Sequence, residues 1–470
     1  MTDYRKSVIS LFSGAGGFDL GFHLAGFNTH LACELLPEAA NTLSHNFNID
    51  IVQAPASPQI NGRKLVVQGD VRTVDFSNIH FTPDVLIGGP PCQDFSSVKG
   101  GKQLGKEGKR GRLYLEFMRA VIQLQPKVFV FENVPGLTSA NNGDVYNIIR
   151  NDLSNLGDKK RLAEICSELN IDIATSKDLA GYDVLFDDVI DAPNLGIPQT
   201  RRRLIIIGVR RDLFDRYHIL KQYQIRDEFE RKLHGKDTLF PIFPMTSLEV
   251  FEGKPLPELQ DKYAEIMHEY DSLTKETTIP ALSQWKTSVW DKLTFDVTKD
   301  YFIANNIPST LSNFKQYEVA MDEHESLLQE LGWRNIPVED IETEDDTMDD
   351  PTTTQNVIER MFMIPPEENY KFVSDTKWQV EGKGISFIYR RTAPLKPAWT
   401  VVAYGGGGTH GYHYKRSRAQ LTLRERARIQ TFTDTYHFIG PGIRAQIGEA
   451  VPALLAKRIA EAVDNLLQKI

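Results

Sequence analysis

Short apolar runs recur along the first 210 residues of this 470-residue chain, and each ends in a glycine, an acid or a polar loop. None alternates strictly between apolar and polar positions, which is typical of strands buried on both faces of a parallel sheet. A glycine turn after the first run predicts that a helix begins there. The pattern therefore predicts an α/β fold with a mostly parallel sheet. The runs are residues 8–12, 30–33, 84–87, 128–131 and 204–208.

The turn after the first run contains Gly14, Gly16 and Gly17. Glycines let the backbone come close to a ligand at a helix N-terminus, where free amides and the helix dipole face it. The dinucleotide-binding fingerprint is not met, because its third glycine would fall at position 19, which is Asp19. The turn therefore predicts a nucleotide-type cofactor without a pyrophosphate clamp.

Two acids follow successive predicted strands beside this turn. Glu34 ends the second run, near the spacing of about 20 residues at which an acid meets a ribose diol in such folds. Asp70 and Val71 end a further strand. Together they suggest a pocket for ribose and adenine. The alternative is that Glu34 and Asp70 are ordinary helix caps.

Residues 88–96 read Gly-Gly-Pro-Pro-Cys-Gln-Asp-Phe-Ser and follow the apolar run 84–87. Pro90 and Pro91 fix φ and cannot continue a helix or a central strand, so Cys92 is expected in a stiff loop at the sheet edge. Cys92 is therefore the candidate nucleophile. The alternative is a buried structural cysteine beside a proline turn.

Two further segments place charged side chains at strand ends. Glu132 follows the run 128–131, and Gln199, Arg201 and Arg203 lead into the run 204–208. Ligands of open α/β sheets bind outside the carboxyl ends of the strands. We therefore expect Glu132 and the arginines to lie near Cys92.

In this order the motifs resemble those of the DNA cytosine-5 methyltransferase family. The matching blocks occur in family order over the first 210 and the last 75 residues. One position departs from the family pattern, because Glu449 stands where the family usually has Asn. The blocks are residues 12–18, 34, 70, 90–93, 132–134, 199–203, 421–432 and 446–452.

The resemblance implies a Rossmann-like, S-adenosylmethionine-dependent methyltransferase domain with an inserted target recognition domain. Residues 1–210 would form the catalytic domain, and residues 211–395 would read base edges in the major groove. Residues 396–470 would return the last motifs to the catalytic domain. Apolar residues at helical spacing predict that residues 452–467 pack back on the sheet, and helices are predicted around 257–273 and 315–332.

The resemblance also implies a mechanism. The thiolate of Cys92 would add to carbon 6 of cytosine and thereby activate carbon 5 toward the methyl group of S-adenosylmethionine. Glu132 would hydrogen-bond or protonate ring nitrogen 3, and Arg201 or Arg203 would favour the thiolate. The target cytosine would be flipped out of duplex DNA.

The remaining site residues divide between cofactor and DNA. A basic, glycine-rich segment at 99–112 would close over the phosphate backbone after the nucleophile. The predicted cofactor residues are Phe12, Gly14, Gly16, Gly17, Glu34, Asp70, Val71, Pro90, Leu113, Glu449 and Val451. The predicted DNA contacts are Gln93, Ser96, Lys99, Lys102, Lys106, Arg110, Gln199, Arg416 and Arg418.

The formal net charge of −9 gives no overall attraction to nucleic acid, so local basic patches must contact the phosphates. Those patches are predicted at 99–112, 201–211 and 415–428. Residues 339–350 contain eight acids in twelve positions and predict a solvated or disordered loop.

The three cysteines form no metal-binding pattern and favour a reducing compartment. His410 and His413, in a glycine loop, are interpreted as phosphate or backbone contacts and not as metal ligands. No signal peptide or membrane-spanning stretch is expected, so a cytoplasmic location is predicted.

The predicted partners are double-stranded DNA, bound by a monomer, and a cognate restriction nuclease or defence-system proteins. Two alternatives are a transfer RNA cytosine methyltransferase and a catalytically silent DNA-binding module.

Overall fold

The structure is a computed structural model that describes residues 5–60, 62–91, 113–169, 171, 179–381, 388–404, 409 and 411–470. Several predicted site residues lie outside the described residues, namely Cys92, Gln93, Ser96, Lys99, Lys102, Lys106 and Arg110, and so does His410.

In the part of the chain that is described, eight strands form one sheet in the order β3-β4-β2-β1-β5-β6-β8-β7. Neighbouring strands are parallel from β3 to β6, whereas β8 is antiparallel to both β6 and β7. The predicted mostly parallel α/β fold is confirmed. The strands are β1 Lys6–Leu11, β2 Phe27–Glu34, β3 Asp50–Gln53, β4 Leu65–Gln68, β5 Val85–Gly88, β6 Val128–Asn133, β7 Tyr182–Asp191 and β8 Arg202–Arg210.

Helices cover both faces of the sheet. The helices before β7 are α1 Gly17–Leu24, α2 Pro37–Phe47, α3 Leu113–Leu124, α4 Asp144–Ser154 and α5 Lys159–Leu169. After β8 come α6 Arg211–Phe214, α7 Ile219–Leu233, α8 Ser247–Glu252, α9 Gln260–His268, α10 Leu282–Ser288, α11 Val297–Ala304, α12 Leu311–Glu330 and α13 Gln355–Phe362. The last three are α14 Leu423–Ile429, α15 Ile443–Glu449 and α16 Ala453–Leu467.

Successive residues of the central strands point into two different apolar layers. The burial of both faces explains why these strands read as continuous apolar runs and do not alternate with polar residues. Val8, Val85 and Val128 lie in the layer that contains α1 and α16, whereas Ile9, Leu86 and Phe129 lie in the layer that contains α3.

The C-terminal helix α16 packs against α1, in the buried layer on one face of the sheet, where its apolar spacing predicts that it returns. A side chain at Gly21 of α1 would place its Cβ 2.3 Å from the carbonyl oxygen of Ala453, so only glycine allows this approach. Leu455, Ile459 and Val463 join the same core as Phe18 of α1. The C-terminus therefore completes the layer that supports the glycine turn.

The inserted region, residues 211–395, is helical in its described part, and its core is continuous with that of the sheet. Phe243, Tyr263 and Leu328 belong to the same buried cluster as Val8 and Leu455. α9 and α12 lie where the sequence predicts helices. The division into a catalytic and a target recognition domain stays a prediction.

The acidic run at 339–350 exposes seven of its eight acids, as predicted for a solvated loop, but it is ordered and anchored to the protein at Asp345 and Thr347. Both Asp345 oxygens accept hydrogen bonds from Nη2 of the fully buried Arg424, at 3.1 and 3.0 Å. Thr347 is also fully buried and accepts a hydrogen bond from Nε of Arg424 at 2.9 Å. Composition alone misses this docking because the neutralising arginine lies far away in sequence.

Candidate active site

Glu34 connects the glycine turn to the end of β2. The amide nitrogen of Gly14 donates to Oε2 at 2.7 Å, and that of Leu36 donates to Oε1 at 2.8 Å. Glu34 is only 8% exposed, and this burial raises the pKa of its carboxyl, as does the nearby charge of Glu449. Each carboxylate oxygen has a second lone pair, so Glu34 can still accept hydrogen bonds from a ribose diol.

Asp70 lies beside Glu34 but has a partner of its own. The amide of Gly69 donates to the carbonyl oxygen of Glu34 at 2.8 Å, which brings the ends of β2 and β4 together. The carboxylate of Asp70 caps the turn at 71–73 through the amide of Arg72 at 3.0 Å. Hydrogen bonds from Arg72 lower the pKa of Asp70. The capping alternative therefore describes an observed contact, and a cofactor contact remains a prediction.

Apolar predicted cofactor residues gather beside these acids. Val71 is buried in the apolar layer below β1 and β5, and Phe12 and Leu113 pack against the same layer while half-buried. Such a surface fits an adenine ring. On the other side of the turn, Gly17 approaches the C-terminal motif so closely that a Cβ would lie 2.5 Å from the carbonyl oxygen of Val451. The residues present therefore fit a nucleoside cofactor.

Glu132 and Arg203 form an ion pair at the ends of β6 and β8. Nε of Arg203 lies 2.7 Å from Oε1 of Glu132, and the two side chains are only 13% and 12% exposed. The antiparallel register of β6 and β8 brings these two side chains together. Glu132 and Arg203 therefore lie at the same edge of the sheet, and their expected position near Cys92 stays a prediction, because Cys92 lies outside the described residues.

The loop that leads toward Cys92 is held beside this ion pair at Gly89 and Pro90. Nδ2 of Asn133 donates to the carbonyl oxygen of Pro90 at 3.0 Å. A Cβ at Gly89 would lie 2.6 Å from Oε2 of Glu132. One Glu132 oxygen therefore contacts Arg203, and the other faces this loop.

Arg201 has a different position from Arg203, although only one residue separates them. Its guanidinium donates to the carbonyl oxygens of Val401, Gly448 and Ala450 at 3.0 to 3.1 Å. Burial, together with the charge of Arg203, lowers the pKa of Arg201 to about 9. Arg201 thus holds the C-terminal motif in place, and no Arg201–Glu132 ion pair is present among the described residues.

Gln199 and Arg416 do not fit the predicted role of DNA contacts. Gln199 is fully buried, and its amide donates to the carbonyl oxygen of Ile429 at 2.7 Å. Arg416 is 6% exposed and donates to the carbonyl oxygens of Phe362 and Glu269. Both side chains are used inside the protein. Fewer positive charges of residues 415–428 are therefore accessible to DNA than the sequence of this segment suggests.

Arg418 and Glu449 lie closer to the surface. Arg418 is partly exposed and pairs with the buried carboxylate of Glu425. Glu449 is exposed, and the hydroxyl of Tyr404 hydrogen-bonds to it, which raises the pKa of Tyr404 to about 12. Glu449 therefore stands between the glycine-turn acid Glu34 and the segment around Tyr404.

Three supporting residues escape the sequence reasoning. Asn133 anchors Pro90, and Tyr436 donates to the carbonyl oxygen of Ala15 at 2.5 Å in the glycine turn. Asp19 is buried below the turn, where it accepts hydrogen bonds from Ser10 and Thr29. Two of them had a sequence signal, since Asn133 lies in the family block 132–134 and Asp19 replaces the third glycine of the dinucleotide fingerprint.

His413 is fully described and buried, with its Nδ1 accepting a hydrogen bond from the amide of Lys415 at 2.9 Å. Across the described ranges, no cluster of three or more histidine, cysteine or acidic side chains could hold a metal ion. Nor does any helix in those ranges combine the length and apolarity needed to cross a membrane.

The sequence of this chain is similar to those of known DNA methyltransferases. A family model described as C-5 cytosine-specific DNA methylase matches residues 6–465. The DNA (cytosine-5-)-methyltransferase M.ApeKI of Aeropyrum pernix is 47% identical over 99% of this chain and 100% of its own length. The type II methyltransferase M.NgoFVII of Neisseria gonorrhoeae is 30% identical over 98% of this chain and 86% of its own length.

Among solved structures, a prophage-encoded protein from E. coli, assigned as a DNA modification methyltransferase, matches with a TM-score of 0.54. It is 22% identical and covers 99% of this chain and 100% of its own, so it supports the fold alone.

The sheet order, the glycine turn with Glu34 and the Glu132–Arg203 pair define an enzyme of the Rossmann-like class. The chain belongs to the family of C-5 cytosine-specific DNA methylases and is a DNA (cytosine-5-)-methyltransferase.

Proposed function

We propose that this enzyme uses S-adenosylmethionine to methylate carbon 5 of a cytosine flipped out of duplex DNA, through a covalent adduct with Cys92. The observation that carries the proposal is the Glu132–Arg203 pair, held 2.7 Å apart next to the loop that leads to Cys92. Because Arg203 engages Oε1, Oε2 of Glu132 is left toward the loop side, where a substrate base would enter.

The glycine turn, Glu34 and the apolar surface of Phe12, Val71 and Leu113 would hold S-adenosylmethionine. This cofactor supplies an electrophilic methyl group when bound. Glu34 would accept hydrogen bonds from the ribose, and the apolar residues would contact the adenine. Asp70 and Glu449 are proposed as further cofactor contacts.

The proposed chemistry starts with the Cys92 thiolate, which adds to carbon 6 of cytosine while Glu132 hydrogen-bonds or protonates nitrogen 3. The electron pair moved to carbon 5 would form the new bond to the methyl group, while the methyl–sulfur bond of S-adenosylmethionine breaks and S-adenosylhomocysteine is left. Loss of the proton from carbon 5 then expels the thiolate and restores the aromatic ring. Arg203 would hold Glu132 in place during these steps.

The biological setting is proposed from the relatives, several of which are described as type II methyltransferases. The enzyme would protect host DNA beside a cognate restriction nuclease or within a defence system. It would act in the cytoplasm as a monomer on DNA, with residues 211–395 reading the target sequence.

The test is to trap the adduct on duplex DNA that contains 5-fluorocytosine, in the presence of labelled S-adenosylmethionine. Fluorine at carbon 5 blocks the final proton loss, so an active enzyme stays bound through denaturing electrophoresis. We expect a labelled adduct with the wild-type enzyme and none with Cys92→Ala. Cys166→Ala is the matched control, because that cysteine is a buried residue of α5, and the adduct of this variant should persist.

An adduct in Cys92→Ala would contradict the nucleophile assignment. Sequencing the trapped duplexes would identify the recognised site. An adduct on transfer RNA but not on DNA would contradict the proposed substrate.

A further inference from the structure

A cavity of about 360 Å³ lies between α14 and the segment around residues 390–404, on the side of Thr200. Its described lining includes Arg390, Arg426, Trp399 and several threonines, and no acidic side chain. The guanidinium of Arg390 stacks on the ring of Trp399 at 3.6 Å. The described wall is therefore positively charged and partly aromatic.

Arg426 is the most unusual group in this wall. It is only 3% exposed, and its Nε has no hydrogen-bond partner. Its guanidinium makes no hydrogen bond or ion pair with any described residue. The neighbouring acid Glu425 is already engaged by Arg418 and by the amide of Thr422. A buried cation in this situation is expensive unless a ligand pairs with it.

Two other arginines of the same helix have acidic and hydroxyl partners for their guanidinium groups. Arg424 binds Asp345 and Thr347, and Arg428 binds both oxygens of Asp434 at 2.9 and 2.6 Å. All three arginines are buried in α14. Of these three, Arg426 is the one that lines the cavity described here.

A second positive charge lies close to Arg426. Arg444 donates to Oγ1 of Thr409, another lining residue, at 3.0 Å. Burial, together with the charge of Arg444, lowers the pKa of Arg426 to about 10, so Arg426 is still a cation at neutral pH. Two adjacent guanidinium groups beside a cavity whose described lining holds no acidic side chain attract an anion with two or more acceptor oxygens.

The cavity borders the active edge of the sheet. Oγ1 of Thr400 donates to the carbonyl oxygen of Thr200 at 2.6 Å, and Arg201 holds the carbonyl oxygen of Val401. Arg203, which pairs with Glu132, follows two residues later. An anion in the cavity would therefore lie on the wall that continues into the proposed substrate site.

We propose that this cavity binds a phosphodiester group of the DNA substrate and that Arg426 is its central charge. The inference rests on the proposed function, because a duplex entering the active edge brings phosphates to this wall. Arg426 acts as a positioning residue for the DNA backbone and takes no part in the chemistry. Its buried charge is retained because DNA supplies the counter-charge.

The test compares Arg426→Met, Arg426→Lys and Arg428→Met in DNA binding and thermal unfolding. Binding of a cognate duplex is measured from about 50 to 200 mM salt, over which each phosphate contact adds about 0.9 to the logarithmic salt slope. We expect Arg426→Met to bind about tenfold more weakly with a slope lower by about one. Arg426→Lys should keep most of the slope.

Thermal unfolding without DNA separates this role from a structural one. Arg426→Met removes an unpaired buried charge, so it should melt at or above the wild-type temperature. Arg428→Met is the matched control from the same helix, and it should melt at a lower temperature because Asp434 loses its partner. A structural arginine at 426 would behave like Arg428.

Three results would overturn the proposal. The first is an unchanged salt slope in Arg426→Met. The second is a fall in its melting temperature comparable to that of Arg428→Met. The third combines two observations: inorganic phosphate stabilises the wild type but not Arg426→Met, and both proteins bind DNA equally well. This result would identify a site for a small anion. A wild-type enzyme that neither binds nor methylates duplex DNA would instead refute the proposed function, and the DNA assignment with it.

Discussion

Arginine side chains meet different environments at the sheet edge and in α14. At the edge, Arg203 pairs with Glu132, and both side chains keep a small exposed area. In α14, Arg424 and Arg428 are fully buried and bind acids and carbonyl oxygens of distant segments. The same residue type therefore orients a candidate catalytic acid in one place and holds the inserted region together in the other.

The comparison shows that a basic stretch in sequence is not evidence for a basic surface. Residues 415–428 look like a DNA-binding patch, yet Arg416, Arg424 and Arg428 are enclosed by protein oxygens. Arg426 differs from these three arginines because its Nε has no hydrogen-bond partner among the described residues.

The largest effect is expected at the sheet edge. Glu132→Gln keeps the shape of the side chain but removes its acid function, so kcat for methyl transfer should fall by about 10²- to 10⁴-fold without loss of folded protein. Radiolabel transfer to duplex DNA measures the rate. Glu342→Gln, an exposed acid elsewhere, should keep the wild-type rate. A Glu132→Gln rate above one tenth of wild type would contradict the role of Glu132.

In α14 the expected effect is on stability. Arg424→Met leaves the mostly buried Asp345 without its partner, so the free energy of unfolding should fall by about 3 to 5 kcal/mol. Urea unfolding measures this change. Arg63→Met, which breaks an exposed pair with Asp50, should change it by at most about 1 kcal/mol. Equal effects at both sites would show that residues 339–350 do not dock in solution.

A steric change tests the contact between the nucleophile loop and Glu132. Gly89→Ala would place a methyl group 2.6 Å from Oε2 of Glu132, and the displacement should lower kcat by about 10²-fold. Gly136→Ala is the control, because a Cβ there meets no atom within 4 Å. Methyl-transfer rates of both variants are compared at saturating DNA. Equal activity of the two variants would contradict the close contact between Gly89 and Glu132.

The smallest effect is expected at the cofactor end. Asp70→Ala should raise the dissociation constant for S-adenosylmethionine about tenfold if its carboxylate contacts the bound cofactor. Asp75→Ala removes a similar acid, which caps the next turn through the amide of Ser77, and should leave this constant unchanged. Isothermal titration calorimetry measures both. An unaltered constant in Asp70→Ala would leave Asp70 as the cap of the turn at 71–73.

The sequence alone determined the central sheet, the glycine turn and the family. Continuous apolar runs predict buried strands because both faces of the sheet are covered. Gly21 and Gly89 are positions where the lack of a side chain lets a neighbouring segment approach the backbone closely. Glu34, Glu132 and Arg203 are predicted as site residues because each lies near the terminus of a strand, where chain order predicts position.

Only the tertiary structure decided which charged residues face each other. Arg424 lies 79 residues from Asp345, and Arg201 lies 247 residues from Gly448, so no local pattern could pair them. Contacts with distant segments also bury Gln199 and Arg416 and anchor the acidic run, and no local pattern predicts these contacts. Burial and ion pairing depend on contacts between distant segments, whereas strands and turns depend on neighbouring residues, and this difference separates what the sequence predicted from what it missed.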